Sequence, residues 1–174
     1  MGQYYVAVIL TDNGKIRLIV DPAKYNSGIK LMEHAYTKDN VMIVMDALLN
    51  PDGILYKSPV VWAGDYADTE NDENFYTLSL NEFYKSAFTV HVKDFKNQCF
   101  RFVVNHSKRM FVDKEKCQQN IHPLPLLTNE SNGRGGGDYS GVNVELCGTW
   151  ARDIISVEVT PPEGYTELDC QFEE

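Results

Sequence analysis

Apolar residues run without a break from Tyr4 to Leu10, pause at Thr11-Asp12-Asn13-Gly14, and then alternate with polar partners as Ile16, Leu18 and Val20. The Asn-Gly pair supplies positive φ at little cost, so residues 3–20 predict a β-hairpin. Beyond Pro22 the spacing changes to three and four: Leu31, Met32 and Ala35, then Val41, Val44, Met45, Leu48 and Leu49. That period predicts two short helices, with Ser27 and Asp39 as N-cap candidates and Asn50-Pro51-Asp52-Gly53 as the stop. Pro59 to Ala63 is a short, wholly apolar run that reads as a buried strand delivering the carboxylate of Asp65 at its end.

Thr69 to Asn74 reads as an acidic loop and Leu78 to Ser86 as a short helix. Phe100 to Val104 with Met110 to Val112 predicts a second hairpin turning at Asn105 to Arg109. Residues 121–141 hold prolines at 123 and 125 and five glycines with no period, which predicts one long functional loop without core strand or helix. Ile154 to Val159 and Tyr165 to Phe172 flank Pro161-Pro162-Glu163-Gly164 and suggest a closing hairpin. The sum is an α+β fold in a single domain, residues 1–174: a mainly antiparallel sheet built from hairpins, with two or three short helices packed on one side of it.

Charge narrows the function. Sixteen Lys and Arg stand against 25 Asp and Glu, a net of −9, which disfavours direct general binding to nucleic acid. The stretch from Ser58 to Tyr84 carries six acids, among them Asp68, Glu70, Asp72 and Glu73, and no Lys or Arg; Asp153 to Glu174 carries seven acids and again no base. These blocks suit solubility, or a surface that presents carboxylates to a basic partner. Between Lys93 and Lys116 seven bases face three acids, leaving a local positive region. The four cysteines have no C-x-x-C spacing and no adjacent histidine, so no zinc site is expected, and reduced thiols in a cytoplasmic setting are the default. Neither a signal peptide nor a membrane-spanning run is visible, and no cofactor or metal is expected.

The most specific local feature is Asn132-Gly133-Arg134-Gly135-Gly136-Gly137-Asp138-Tyr139. Four glycines in five positions carry a large ordering cost, and close approach of the backbone to a ligand would justify it. Successive bare amides form an anion nest to which Arg134 adds a fork of donors. It is neither a Walker loop nor a dinucleotide fingerprint, since the flanking pattern is missing. His122, fixed by Pro123 and Pro125, stands at the loop's entry either as a titrating group or as a buried structural histidine. His34, His91 and His106 lack metal spacing. Asp65, Asp68 and Asp138 are candidate acids or bases if the fold gathers them, and Trp62 offers either an aromatic floor or core. Ser140, His122 and Asp138 match a hydrolase triad in composition alone, without the G-x-S-x-G turn.

Those blocks carry a resemblance. Met1-Gly-Gln-Tyr-Tyr5, Lys30-Leu-Met-Glu-His34, Trp62-Ala-Gly-Asp-Tyr-Ala-Asp68, Val104-Asn-His106, His122-Pro-Leu-Pro-Leu-Leu-Thr128, the glycine-rich segment and Trp150-Ala-Arg-Asp153 together resemble an uncharacterised family of small proteins from Firmicutes, their phages and other mobile elements. Ser131 stands where that family often has glycine. The resemblance implies a mobile-element setting inside a bacterial host and, from it, a counter-defence role by binding. Three mechanisms stay open. Gly133, Arg134, Gly135, Gly136, Gly137, Asp138, His122, Trp62 and Asp65 sequester a nucleotide signal; or Asp68, Glu70, Asp72 and Glu73 occupy a basic channel of an immune nuclease, as anti-CRISPR proteins do; or His122, Asp65 and Asp138 hydrolyse a nucleotide ligand.

Overall fold

The computed structural model describes residues 3–81, 99–132 and 137–174. Among them are four α-helices and eight strands in a mostly antiparallel sheet, an α+β fold. The first hairpin forms as its pattern requires: β1 (Tyr5–Leu10) pairs antiparallel with β2 (Ile16–Val20), and Gly14 holds φ +80° in the turn. The second helix is α2 (Asn40–Leu49), whose Asp39 carboxylate accepts from the Val41 N–H. The first, α1 (Leu31–His34), opens at Lys30 instead of Ser27, because Ser27 donates its hydroxyl to Asp39 and so braces the next helix.

The centre of the sheet is β3 (Ser58–Gly64), all seven residues buried. One edge pairs with β1 through Tyr5↔Gly64 to Ile9↔Val60. Two partners share its other edge: β7 (Ile154–Glu158) takes Ser58 and Pro59, while β6 (Asn129–Glu130) lies parallel to Trp62 and Ala63. From β7 the sheet continues through β4 (Phe102–Asn105) and β5 (Met110–Asp113) to β8 (Thr166–Glu167).

Alternation then decides the layers. Tyr5, Ala7, Ile9, Val60 and Trp62 face the main core with α1, α2 and α4 (Pro123–Thr128). Val6, Val8, Leu10, Val61 and Ala63 face the opposite side, where Phe75 and Tyr76 of α3 (Phe75–Ser79) cover them. The expectation that the helices share one side is therefore corrected. β1 and β3 are apolar on both faces, and the second face needs a cover of its own.

Two further expectations are overturned. Residues 121–141 are not one loop: Pro123 to Thr128 form a fully buried helix that runs directly into β6. Prolines at the first and third helical positions remove N–H groups that have no partner in the helix anyway, so here they start a helix and do not break it. The closing hairpin is also absent, since β7 pairs with β3 and β4 while β8 lies parallel to β5. The predicted helix at 78–86 begins earlier, at Phe75, because Asn74 and Thr77 cap each other reciprocally; its residues beyond 81 lie outside the described residues.

One buried polar contact ties the layers together. The Trp62 indole N–H donates to His34 Nε2 at 2.8 Å, and His34 Nδ1–H donates to the Gly28 carbonyl at 2.8 Å. Both side chains are fully buried, and their rings stack 5.9 Å apart. His34→Ala should cost about 3 kcal/mol or more, because a cavity and an orphaned indole N–H arise together. Urea denaturation measures this, and a loss under about 1 kcal/mol would show that the pair is dispensable.

Candidate functional site

The residues named from the sequence fall into two separate places. The first lies where β1 begins and β3 ends. Asp65 accepts from the Tyr4 N–H through its carboxylate at 3.1 Å and returns its own N–H to the Tyr4 carbonyl at 3.0 Å. Tyr5 is buried beside them, with its hydroxyl donated to Gln3 Oε1 at 3.2 Å. Burial, then the charges of Asp138 and Asp65, push that phenol well above its ordinary range. Gly137 packs so closely, at φ +69°, that a Cβ would stand 2.5 Å from the Tyr5 hydroxyl oxygen. Asp138 uses its carboxylate to accept from the Met32 N–H, in the first turn of α1. Gly137 and Asp138 of the glycine segment are thus braced against Tyr5 and α1, while Gly133, Arg134, Gly135 and Gly136 lie outside the described residues. Trp62 is no floor for a ligand here: it is fully buried and its one donor is engaged by His34.

His122 belongs to the second place. It is fully buried as the N-cap of α4, where its Nδ1 accepts from the Leu124 N–H at 3.2 Å. The accepting role of Nδ1 puts the ring proton on Nε2, which donates to Asp46 Oδ1 at 3.0 Å, while Lys114 donates to Asp46 Oδ2 at 2.9 Å. Burial, with Lys114 beside it, lowers the His122 pKa and keeps the ring neutral. Burial pushes the Asp46 carboxyl up, but Lys114 and His122 more than offset this and hold it below its usual value. The charges that bear on His122 are those of Lys114 and Asp46; neither Asp65 nor Asp138 is among them. The acid/base trio is therefore not assembled, and His122 serves as a helix cap.

Asp65 leads directly into the acidic segment, and its geometry is specific. Asn71 and Asp72 hold φ +53° and +64°, and Glu70 and Glu73 exchange backbone bonds of 2.8 and 3.2 Å, which makes a tight two-residue turn. Asn74 closes the neck. Its side chain donates to the carbonyls of Asp65 and Ala67 while its oxygen caps α3 at Thr77. Asp68, Glu70, Asp72 and Glu73 are all exposed on this projection.

Among the described residues, Arg152 is a cation that reaches it. The guanidinium pairs with both oxygens of Glu130 and with Glu70 at 3.0 Å, and lies 4.7 Å over the Phe75 ring. Asp68, Glu70, Glu130, Ser131, Cys147 and Arg152 line a cavity of about 500 Å³ between the turn and residues 147–149. Asn74, Glu130 and Arg152 carry this site and were not singled out as site residues in the sequence. Asn74 announces itself by its spacing to Thr77, as a capping pair; Arg152 shows no comparable signal.

Among the described residues no group of three or more His, Cys, Asp and Glu side chains is placed to hold a metal ion, and no helix is long and apolar enough to cross a membrane. Compared with protein-family models, curated proteins and solved structures, the chain matches none.

Burial lowers the pKa of three histidines, His34, His106 and His122. In the unfolded chain each titrates near 6.5. Below that pH the unfolded state takes up protons that the folded state refuses, so stability falls as pH drops from about 6.5, by up to about 1.4 kcal/mol per pH unit for each histidine. His122→Asn keeps an N-cap and removes one proton site, so its denaturant midpoint should depend less on pH. An unchanged pH slope would contradict the neutral, capping role of His122.

Proposed function

We propose that the protein acts by binding, and that the projection at residues 65–73 docks its carboxylates onto a basic protein surface. In the mobile-element setting implied by the resemblance, that surface is the nucleic-acid channel of a host immune nuclease, and the act is counter-defence inside the bacterial cell. One observation carries the reading: Asp68, Glu70, Asp72 and Glu73 stand exposed on a turn fixed by two left-handed residues and closed by Asn74. A rigid turn presents charge without the entropy cost of ordering it on contact.

The same charges weigh against a nucleotide. Asp65 and Asp138 both act on Tyr5, beside the visible end of the glycine segment, and a phosphate about 6 Å from either would meet about 2 to 3 kcal/mol of repulsion per pair at an effective dielectric near 20. Arg152, which among the described residues pairs with the projection, is already held by Glu130 and Glu70. Hydrolysis at this face would proceed without His122, which is buried elsewhere and engaged at both nitrogens, and the Asp138 carboxylate already accepts from the Met32 N–H.

The test measures association with purified immune nucleases of the host at rising salt. Steering by these carboxylates predicts an on-rate that falls about tenfold or more between 50 and 500 mM salt, and a comparable loss when Asp68→Asn, Glu70→Gln, Asp72→Asn and Glu73→Gln are combined, with a smaller change in off-rate. Salt-independent kinetics, or an intact nucleotide retained by the protein from lysate, would overturn it. Asn74→Ala should weaken binding less than the fourfold variant does, because it loosens the neck and leaves every charge in place.

A further inference from the structure

Cys117 and Cys170 lie 53 residues apart and meet in the main core. The Cys117 S–H approaches the Cys170 carbonyl at 3.9 Å, which places the two cysteines side by side. Backbone bonds hold the segments on which they sit: the Cys117 N–H donates to the Lys114 carbonyl, and the Gln118 N–H to the Phe172 carbonyl at 2.8 Å. Both cysteines are free thiols. They differ in access. Cys117, 7% exposed, forms part of the wall of a cavity of about 710 Å³ together with Asp46, Phe100, Arg101 and Lys114, whereas Cys170 is fully buried behind it.

We propose that Cys117 and Cys170 are a redox pair, which closes to a reversible disulfide when a small peroxide reaches Cys117 through this cavity. In the first step the Cys117 thiolate attacks one oxygen of hydrogen peroxide and the O–O bond breaks. The sulfur becomes a sulfenic acid, and the departing hydroxide takes up the proton from the thiol as water. In the second step the Cys170 sulfur attacks the Cys117 sulfur and displaces its hydroxyl, which leaves as a second water with the Cys170 proton. Two thiols and one peroxide thus give one disulfide and two waters, and a dithiol reverses the change.

The order of attack follows from access: Cys117 lines the cavity and Cys170 does not. The neighbouring Cys170 thiol lowers the Cys117 pKa against its burial, while its interaction with Cys117 and its burial raise that of Cys170, which agrees with the first thiolate forming on the sulfur that lines the cavity. The other two thiols are placed differently. Cys147 lines the cavity beside the acidic turn, and burial pushes its thiol up to about 12. Cys99 is exposed at the same cavity as Cys117 and is its natural competitor.

The bond would fasten a segment now held without covalent links. Leu168 donates to the Phe111 carbonyl, Gln171 to Asn143, Glu173 to the Tyr139 hydroxyl and Glu174 to Gln119. Purified protein is treated with hydrogen peroxide, free thiols are alkylated, and peptides are mapped by mass spectrometry without reduction. The expected result is a linked pair of peptides containing Cys117 and Cys170, lost on adding dithiothreitol and retained in Cys99→Ser. Proteolytic release of the C-terminal peptide should slow about tenfold or more in the oxidised form, as local opening becomes constrained. A link from Cys117 to Cys99 or Cys147, a sulfinic acid on Cys117 with no link, or two thiols still open to alkylation would each overturn the proposal. Because the mapping uses the natural sequence, it does not depend on whether Cys170→Ser folds.

Discussion

A strand with no exposed side chain has to be covered twice, and β3 is such a strand. Its seven residues are all buried, with Trp62 facing one layer and Val61 and Ala63 the other. Fully burying each large side chain contributes about 1.5 to 3 kcal/mol, which is available only once both covers are in place. The first cover is two neighbouring helices, α1 and α2, joined by α4 from far along the chain; the second is a five-residue helix that stays put because Asn74 and Thr77 cap it reciprocally. Even the acidic turn depends on this arrangement, because its neck is closed by the residue that starts the second cover.

Buried polar groups complete the two layers. His34 and His122 sit in the same core, both neutral, yet with opposite tautomers: His34 donates from Nδ1 and accepts at Nε2, while His122 accepts at Nδ1 and donates from Nε2. The tautomer in each case is set by the backbone group its ring meets, a carbonyl at Gly28 and an N–H at Leu124. Neither histidine is left with a nitrogen to offer a substrate.

Most of the fold was legible in the residues. Asn13-Gly14 fixed the first turn, the three-and-four spacing after Asp39 gave α2, and the apolar run before Gly64 gave β3. What failed did so for physical reasons. Pro123 and Pro125 read as breakers because a proline's effect depends on whether the lost N–H had a partner, and in a first turn it has none. The pairing of β8 with β5 was out of reach because a two-residue strand carries no periodicity at all. At the candidate site the carboxylates could be named in advance, since Asp68 to Glu73 is a visible run of charge. Glu130 and Arg152 could not, because only the packing of β6 against β3 brings them beside Glu70.

The divided edge of β3 also has a consequence in time. Gly64 leaves the ribosome long before Asn129 and Ile154, the starts of the two strands that share that edge. At about 5 to 20 residues per second, the 90 positions from Gly64 to Ile154 take on the order of 5 to 20 s to synthesise. Until Asn129 is made the nascent chain can form the first hairpin and add β3 to it, but one side of this fully buried strand has no partner, and its Ser58–Pro59 end waits further for Ile154. Such an edge is a template for wrong pairing. Chaperone dependence during synthesis, more than the stability of the finished fold, would then set how much of this protein a cell can accumulate.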